Sequence, residues 1–118
     1  IICIKYRYSI YKSVVNVWAF YTEFEGHKAI ACNGCSSSQC FESVSKSTYD
    51  LMIGFWYDGN QWTVSLYSEK DINCSEIAEK YGGGGHKKAA GFQCKKLPFK
   101  IKRKKYHDSG IKKSSSIE

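Results

Sequence analysis

The sequence predicts a mixed α/β fold in which helices pack on a small mixed β-sheet and a glycine-rich loop joins a helix to a short helix-strand unit. Three observations carry this expectation. The run Leu51-Met52-Ile53-Gly54-Phe55-Trp56-Tyr57 is continuously apolar, the pattern of a central strand covered on both faces. Asp58-Gly59 follows it and leads into a second aromatic and β-branched run at 61–67, so the two runs read as a hairpin. Residues 73–81 then carry helix signals at both ends, and strand and helix signals alternate along the chain, as they do where helices cover a sheet.

Residues 1–25 fit either strands or a helix. Val14, Val15 and Val17 favour strand, whereas Val14, Val17, Trp18, Tyr21 and Phe24 also fall on one helical stripe. The weight of tyrosine and valine favours strands. Gly26 marks a turn into a short buried strand over 28–32, which Asn33-Gly34 ends. Ser36 or Ser37 caps a short helix running to about Val44, with Cys40, Phe41 and Val44 on one face. In the helix after the hairpin, Asn73 is the N-cap, Glu76 lies at the capping-box position, and Ile72 and Ile77 make the hydrophobic staple. Cys74, Ile77, Ala78 and Tyr81 form its buried stripe. Glu76 and Lys80 are placed to pair on its outer face, and Gly82 supplies the left-handed residue after its end. Beyond the glycine run, 86–90 reads as a short helix stopped by Gly91, with a returning strand at 92–95. No internal repeat is visible.

At 118 residues the chain has room for one domain with a single small core. Its hydrophobic content of 42% and aromatic content of 15% exclude a disordered chain. No run reaches the roughly 18 apolar residues of a membrane helix, so no membrane partner and a cytoplasmic location are expected. Ile1 in place of methionine fits a processed chain or a piece of a longer protein. The net charge of +7 lies at one end. Residues 1–94 hold nine Lys/Arg against nine Asp/Glu, whereas residues 95–118 hold nine basic residues against Asp108 and Glu118. The cluster of Lys100, Lys102, Arg103, Lys104 and Lys105 attracts polyanions, nucleic acid above all, or else is a solvated tail that keeps the protein soluble. Six cysteines include Cys32 and Cys35 at zinc-knuckle spacing with Cys40 nearby. No second close pair completes a tetrahedral set, so free, largely buried thiols and no metal site are expected.

The run Gly82-Gly83-Gly84-Gly85-His86-Lys87-Lys88-Ala89-Ala90-Gly91-Phe92 is the most informative stretch. Consecutive glycines reach positive φ and let backbone N–H groups converge on an anion, most naturally a phosphate. A helix starting near His86 would add its free N–H groups at the same point. A flexible linker is the alternative, but no serine or other low complexity surrounds the run. His86 is the one side chain at the loop mouth able to hydrogen-bond or to carry switchable charge, and Lys87 and Lys88 are available for phosphate contacts.

This GGGGHKKAAGF string, with Thr63-Val64-Ser65-Leu66-Tyr67-Ser68 and the 73–81 helix before it, resembles the glycine-rich motif of the DHH-associated domain. That domain is the C-terminal, substrate-binding half of DHH-family phosphoesterases, among them nanoRNases, RecJ-type exonucleases and cyclic-dinucleotide phosphodiesterases. The resemblance covers about residues 26–99, leaving 1–25 as an uncertain N-terminal segment and 100–118 as the basic tail. It implies substrate binding by Gly82, Gly83, Gly84, Gly85 and His86, with Lys87, Tyr67, Ser65 and Ser68 beside them. Many family members carry a phosphate-gripping arginine where this chain has Tyr67, which makes no bidentate contact but can stack on a base or donate one hydrogen bond.

The resemblance also implies that manganese or magnesium works in a complete DHH enzyme, held by an Asp-His-His-bearing domain. This chain has no such triplet, so it is expected to carry no catalytic residue, to bind no cofactor of its own, and to act with a DHH catalytic domain in cis or in trans. Its ligand is then a nucleotide, short single-stranded nucleic acid or a cyclic dinucleotide. The alternatives are part of an active metal-dependent phosphodiesterase whose DHH domain lies outside this chain, or a general nucleic-acid-binding module like the related C-terminal domain of alanyl-tRNA synthetases.

Overall fold

The computed structural model describes residues 18–35, 37–42, 44 and 48–101. Six strands form one mixed sheet in the order β1-β2-β3-β4-β6-β5. β1 (Ala19–Phe24) and β2 (His27–Asn33) make a hairpin whose two turn residues, Glu25 and Gly26, both have positive φ, 54° and 78°. That is the two-residue turn whose twist matches the flanking strands. Glu25 holds this unusual conformation with its carboxylate clamped by the Tyr81 hydroxyl at 2.5 Å and by Lys80 at 2.9 Å. Lys80 therefore bonds the β1–β2 turn rather than Glu76, because the turn brings a carboxylate to the helix that helical spacing alone does not reveal. The strand expectation holds for 19–24; residues 1–17 lie outside the described residues.

β3 (Leu51–Tyr57) runs parallel to β2, and the crossover carries a 3₁₀ turn at Ser38–Phe41 capped by the Ser37 hydroxyl, which accepts the Gln39 N–H at 3.2 Å. β4 (Trp62–Tyr67) returns antiparallel to β3. The Asp58 carboxylate shapes that turn by accepting the N–H groups of Asn60 (2.8 Å) and Gln61 (2.9 Å), an Asx turn. Helix α1 (Cys74–Glu79) follows. The Asn73 side chain accepts the N–H groups of Ser75 and Glu76, and Gly82, at φ 88°, closes the other end. There the Gly82 N–H bonds the Glu79 carbonyl and the Gly83 N–H bonds the Ala78 carbonyl, the paired bonds of a Schellman ending.

The short helix expected at 86–90 is instead a hairpin. β5 (Gly84–His86) and β6 (Ala89–Cys94) are antiparallel and join across Lys87-Lys88. β6 pairs along its full length with β4, Trp62 opposite Cys94 through Tyr67 opposite Ala89. A six-residue ladder outweighs a five-residue helix, which is too short to sustain itself. Gly91 belongs to this ladder, where a Cβ would come within 2.7 Å of the Val64 carbonyl oxygen.

The sheet has two unlike faces. On one, Phe20, Phe24, Leu51, Ile53, Val64 and Leu66 pack with Phe92 beneath Ile77 and Ala78 of α1. Burying side chains such as Ile77 and Phe92 stabilises the fold by about 1.5–3 kcal/mol each. Tyr81 stacks on Phe92 at 4.7 Å, and Phe99 closes the cluster edge-on to Phe24 and Phe55. On the other face, Ile30, Cys32 and Met52 lie under Cys35, Cys40 and Phe41 of the crossover. Cys32, Cys35, Cys40 and Cys74 are buried free thiols, and Cys94 is a half-buried one. The hydrogen bond with the Cys32 thiol, helped by burial, pushes the Cys35 thiol up to about 12, so it is not a reactive thiolate. Among the described residues no helix is long and apolar enough to cross a membrane.

Candidate functional site

The crossover covers only the β1–β3 part of the second face. Among the described residues its cover stops at Phe41, whose ring lies 6.2 Å from that of Tyr67, and none of them packs over β4, β6 and β5 beyond it on this face. Side chains alternate across a strand, so directly opposed residues share a face. Two rows cross the open region. One runs Met52, Tyr67, Ala89, His86; the next runs Gly54, Ser65, Gly91, Gly84. Strands lie about 4.8 Å apart, which places His86 and Tyr67 roughly 10 Å from one another on the same face. In the second row Gly84 and Gly91, both half-buried, place no side chain beside the aromatic ring and the imidazole, whereas Gly54 is buried beneath the Cys35 carbonyl, 2.3 Å from where its Cβ would stand.

The glycine run does not form a nest of converging donors. The N–H groups of Gly82 and Gly83 are engaged by the end of α1, and no helix begins at His86 to add further donors. Gly83 and Gly85 are required by packing: a Cβ at 83 would meet the Gly91 oxygen at 2.0 Å, and one at 85, where φ is 146°, would meet the Ala90 Cα at 2.6 Å. Gly84 is different. Its φ is not positive, and a Cβ there would meet nothing within 4 Å. Of the four glycines it is the one that keeps surface open above the edge strand.

The other expected site residues divide. His86 is exposed at the sheet edge, paired through its backbone strand with β6, and its imidazole makes no hydrogen bond with the described residues. Tyr67 is half-buried, and burial pushes its phenol up. Its ring lines the cleft at the end of β4. Ser68 is buried, donating to the Asp50 carbonyl at 2.8 Å and accepting the Lys70 N–H at 3.0 Å, so it anchors the end of β4. Lys87 is tied to Asp71 at 2.5 Å, away from the rows. Lys88, its neighbour, lines a cleft of about 320 Å³ with Tyr67, Met52 and Ala89. Thr63, Ser65, Gly91 and Gln93 border a second, more open groove of about 520 Å³.

Sequence reasoning missed Gly91, Gly54 and Met52, which complete the rows. Reading Gly91 as a helix stop hid its place in a strand. The alternation of small Ala89 and Gly91 with Ala90 and buried Phe92 was the signal available. No group of three or more His, Cys, Asp or Glu able to hold a metal occurs among the described residues, and Cys32, Cys35 and Cys40 are packed in apolar surroundings as free thiols.

No curated protein matches this chain. Among solved structures, it is similar to the pGpG-specific phosphodiesterase PggH from Vibrio cholerae, with a TM-score of 0.58 and 12% identity over 77% of this chain and 34% of that one. It is also similar to an uncharacterized protein from Helicobacter pylori G27, with a TM-score of 0.52 and 16% identity over 79% of this chain and 26% of that one. At such identities the likeness is one of fold, and the chain spans about a third and a quarter of those two proteins. Residues 7–105 match the DHHA1 domain; with the match extending over most of its length, the chain belongs to the DHHA1 domain family, the domain associated with DHH phosphoesterases.

Proposed function

We propose that this DHHA1 domain is a substrate-binding module of a DHH-type phosphoesterase, holding the phosphate or nucleotide end of a short single-stranded nucleic acid or a cyclic dinucleotide. The observation that carries this reading is the open face on which Tyr67, Gly84 and His86 come together beside a strip of exposed backbone. An aromatic ring is a stacking platform for a base. A strip without side chains lets a sugar-phosphate approach the sheet closely. An exposed imidazole at the edge supplies a hydrogen bond to a phosphate oxygen, stronger when the ring is protonated.

The described residues do not fit a two-metal centre, which needs several convergent carboxylates. On this reading manganese or magnesium belongs to a DHH domain acting in cis or in trans, and this chain positions the substrate. A general nucleic-acid-binding role would rest instead on the basic residues from 102 onward, which lie outside the described residues.

Titration with pGpG, followed by amide NMR shifts, tests the proposal. Saturable shifts centred on Ser65, Tyr67, Gly84, His86 and Gly91 are expected. Shifts confined to the basic C-terminal residues, or none, would overturn it.

A further inference from the structure

The cleft at the end of β4 carries a chemistry that the glycine strip does not. Its apolar part is the Tyr67 ring with Met52 and Ala89, and its rim carries Lys88 with the carboxylates Glu42 and Glu69. The Lys88 ammonium stands 3.5 Å from the Glu69 carbonyl oxygen at that rim. Two carboxylates against one ammonium make this a poor place for a phosphate, which the acids would repel. It suits a flat group that presents donors and acceptors side by side.

Guanine is such a group. Its N1–H and N2–H₂ donors adjoin on one edge and suit a carboxylate, while O6 and N7 accept from an ammonium. Adenine has an acceptor at N1, facing the carboxylate with the wrong polarity. The pyrimidines lack the N7 acceptor. The Tyr67 ring, part of the cleft lining, contributes its face, which stacks on any base; discrimination then falls to the rim.

The geometry points to the cleft between the 3₁₀ turn and the end of β4 as a base subsite selective for guanine, with Tyr67 as platform, Lys88 as donor to O6 and N7, and Glu42 or Glu69 as acceptor for the N–H edge. This rests on the proposed nucleotide-binding role and extends it from substrate class to base identity. It also separates the two lysines of the hairpin turn, giving selectivity to Lys88, whereas Lys87 is held by Asp71. The phosphate then lies along the row toward His86.

The test compares the affinities of pGpG and pApA for the full chain and for Lys88→Met, Glu42→Gln, Glu69→Gln and His86→Ala. All four positions are exposed, so folding is not at stake. The wild type is expected to prefer pGpG about tenfold, within the range of a good bidentate base contact. Lys88→Met and at least one glutamine variant should bring the two ligands to parity by weakening pGpG alone. His86→Ala should weaken both equally and keep the ratio. Equal affinities in the wild type, or a preference that survives in Lys88→Met and in both glutamine variants, would overturn the base subsite while leaving the binding role intact. Failure of both dinucleotides to bind would overturn the binding role and the subsite together.

Discussion

Gly83 lies against the backbone of Gly91, so close that a Cβ at position 83 would stand 2.0 Å from the Gly91 carbonyl oxygen and 2.6 Å from the Phe92 Cβ. The next glycine has open space instead. Adjacent glycines thus serve different ends, one for packing α1 onto β6 and one for leaving the face bare. Gly83→Ala is expected to destabilise the domain by about 1–3 kcal/mol, as overpacking does. Gly84→Ala should alter stability by no more than about 0.5 kcal/mol yet weaken pGpG binding. Thermal melts and titrations of the two variants check this. A Gly84→Ala variant that melts and binds like the wild type would show the strip to be irrelevant to the ligand.

The clamp on Glu25 makes stability pH-dependent at both ends. Hydrogen bonds from Tyr81 and then Lys80 hold the Glu25 carboxyl below its usual 4.5, and those from Lys70 and the Lys28 N–H hold Asp50 below 3.8. A depressed carboxyl contributes stability that is present above its unfolded value and lost as pH falls through its folded value. Melting temperature should therefore hold down to about pH 4.5 and drop below it. Glu25→Gln and Asp50→Asn should each flatten that limb modestly, since exposed pairs are worth about 0.2–1 kcal/mol. Tyr81 shows the opposite sign. Burial, then the bond to Glu25, pushes its phenol up to about 12, so its contribution is present below pH 10 and fades as pH rises from there. Phenolate absorbance read alongside melts follows the tyrosines, and Tyr81→Phe should remove Tyr81's share of the alkaline loss, leaving that of Tyr67, whose phenol burial also pushes up.

How far the sequence was legible follows from where each signal lies. Local signals were sufficient for β3, for the Asp58-Gly59 turn and for α1, because Asn73 and Gly82 act within one turn of the helix they bound. The 84–90 segment misled because alanine and lysine favour helix locally, while its strand state depends on β4 lying alongside. The same dependence hid the site. Tyr67 and His86 share a face only because β6 intervenes between β4 and β5, an order that departs from the chain order. Identifying His86 and Tyr67 as candidates needed only the motif, whereas separating Lys88 from Lys87 needed to know that Asp71 takes one of them.

Phe99 is the last buried residue among those described, just ahead of the basic segment. It is 8% exposed and packs against Phe24 and Phe55. Phe99→Ala is expected to cost toward the lower end of about 3–5 kcal/mol, being at the margin of the core. Truncation after Ile101 should leave the melting temperature unchanged. It removes Lys102, Arg103, Lys104, Lys105, Lys112 and Lys113, so it should flatten the salt dependence of binding to single-stranded nucleic acid, which scales with the phosphates neutralised. An unchanged slope would show that the basic residues do not engage the polyanion.

The purified chain is expected to leave pGpG uncleaved in the presence of manganese or magnesium. The reason lies in how its aspartates are engaged. Asp50 is bonded by Lys70 and the Lys28 N–H, Asp58 by the N–H groups of Asn60 and Gln61, and Asp71 by Lys87. These three lie at separate turns, and among the described residues none joins a cluster able to hold a metal. Of the aspartates only Asp108 remains, with His107 beside it, whereas two ions require several convergent carboxylates. Binding without cleavage, read by NMR and by chromatography of the same sample, is the expected outcome. Chelator-sensitive cleavage by the pure chain would place a catalytic centre within it and overturn its assignment as a binding module.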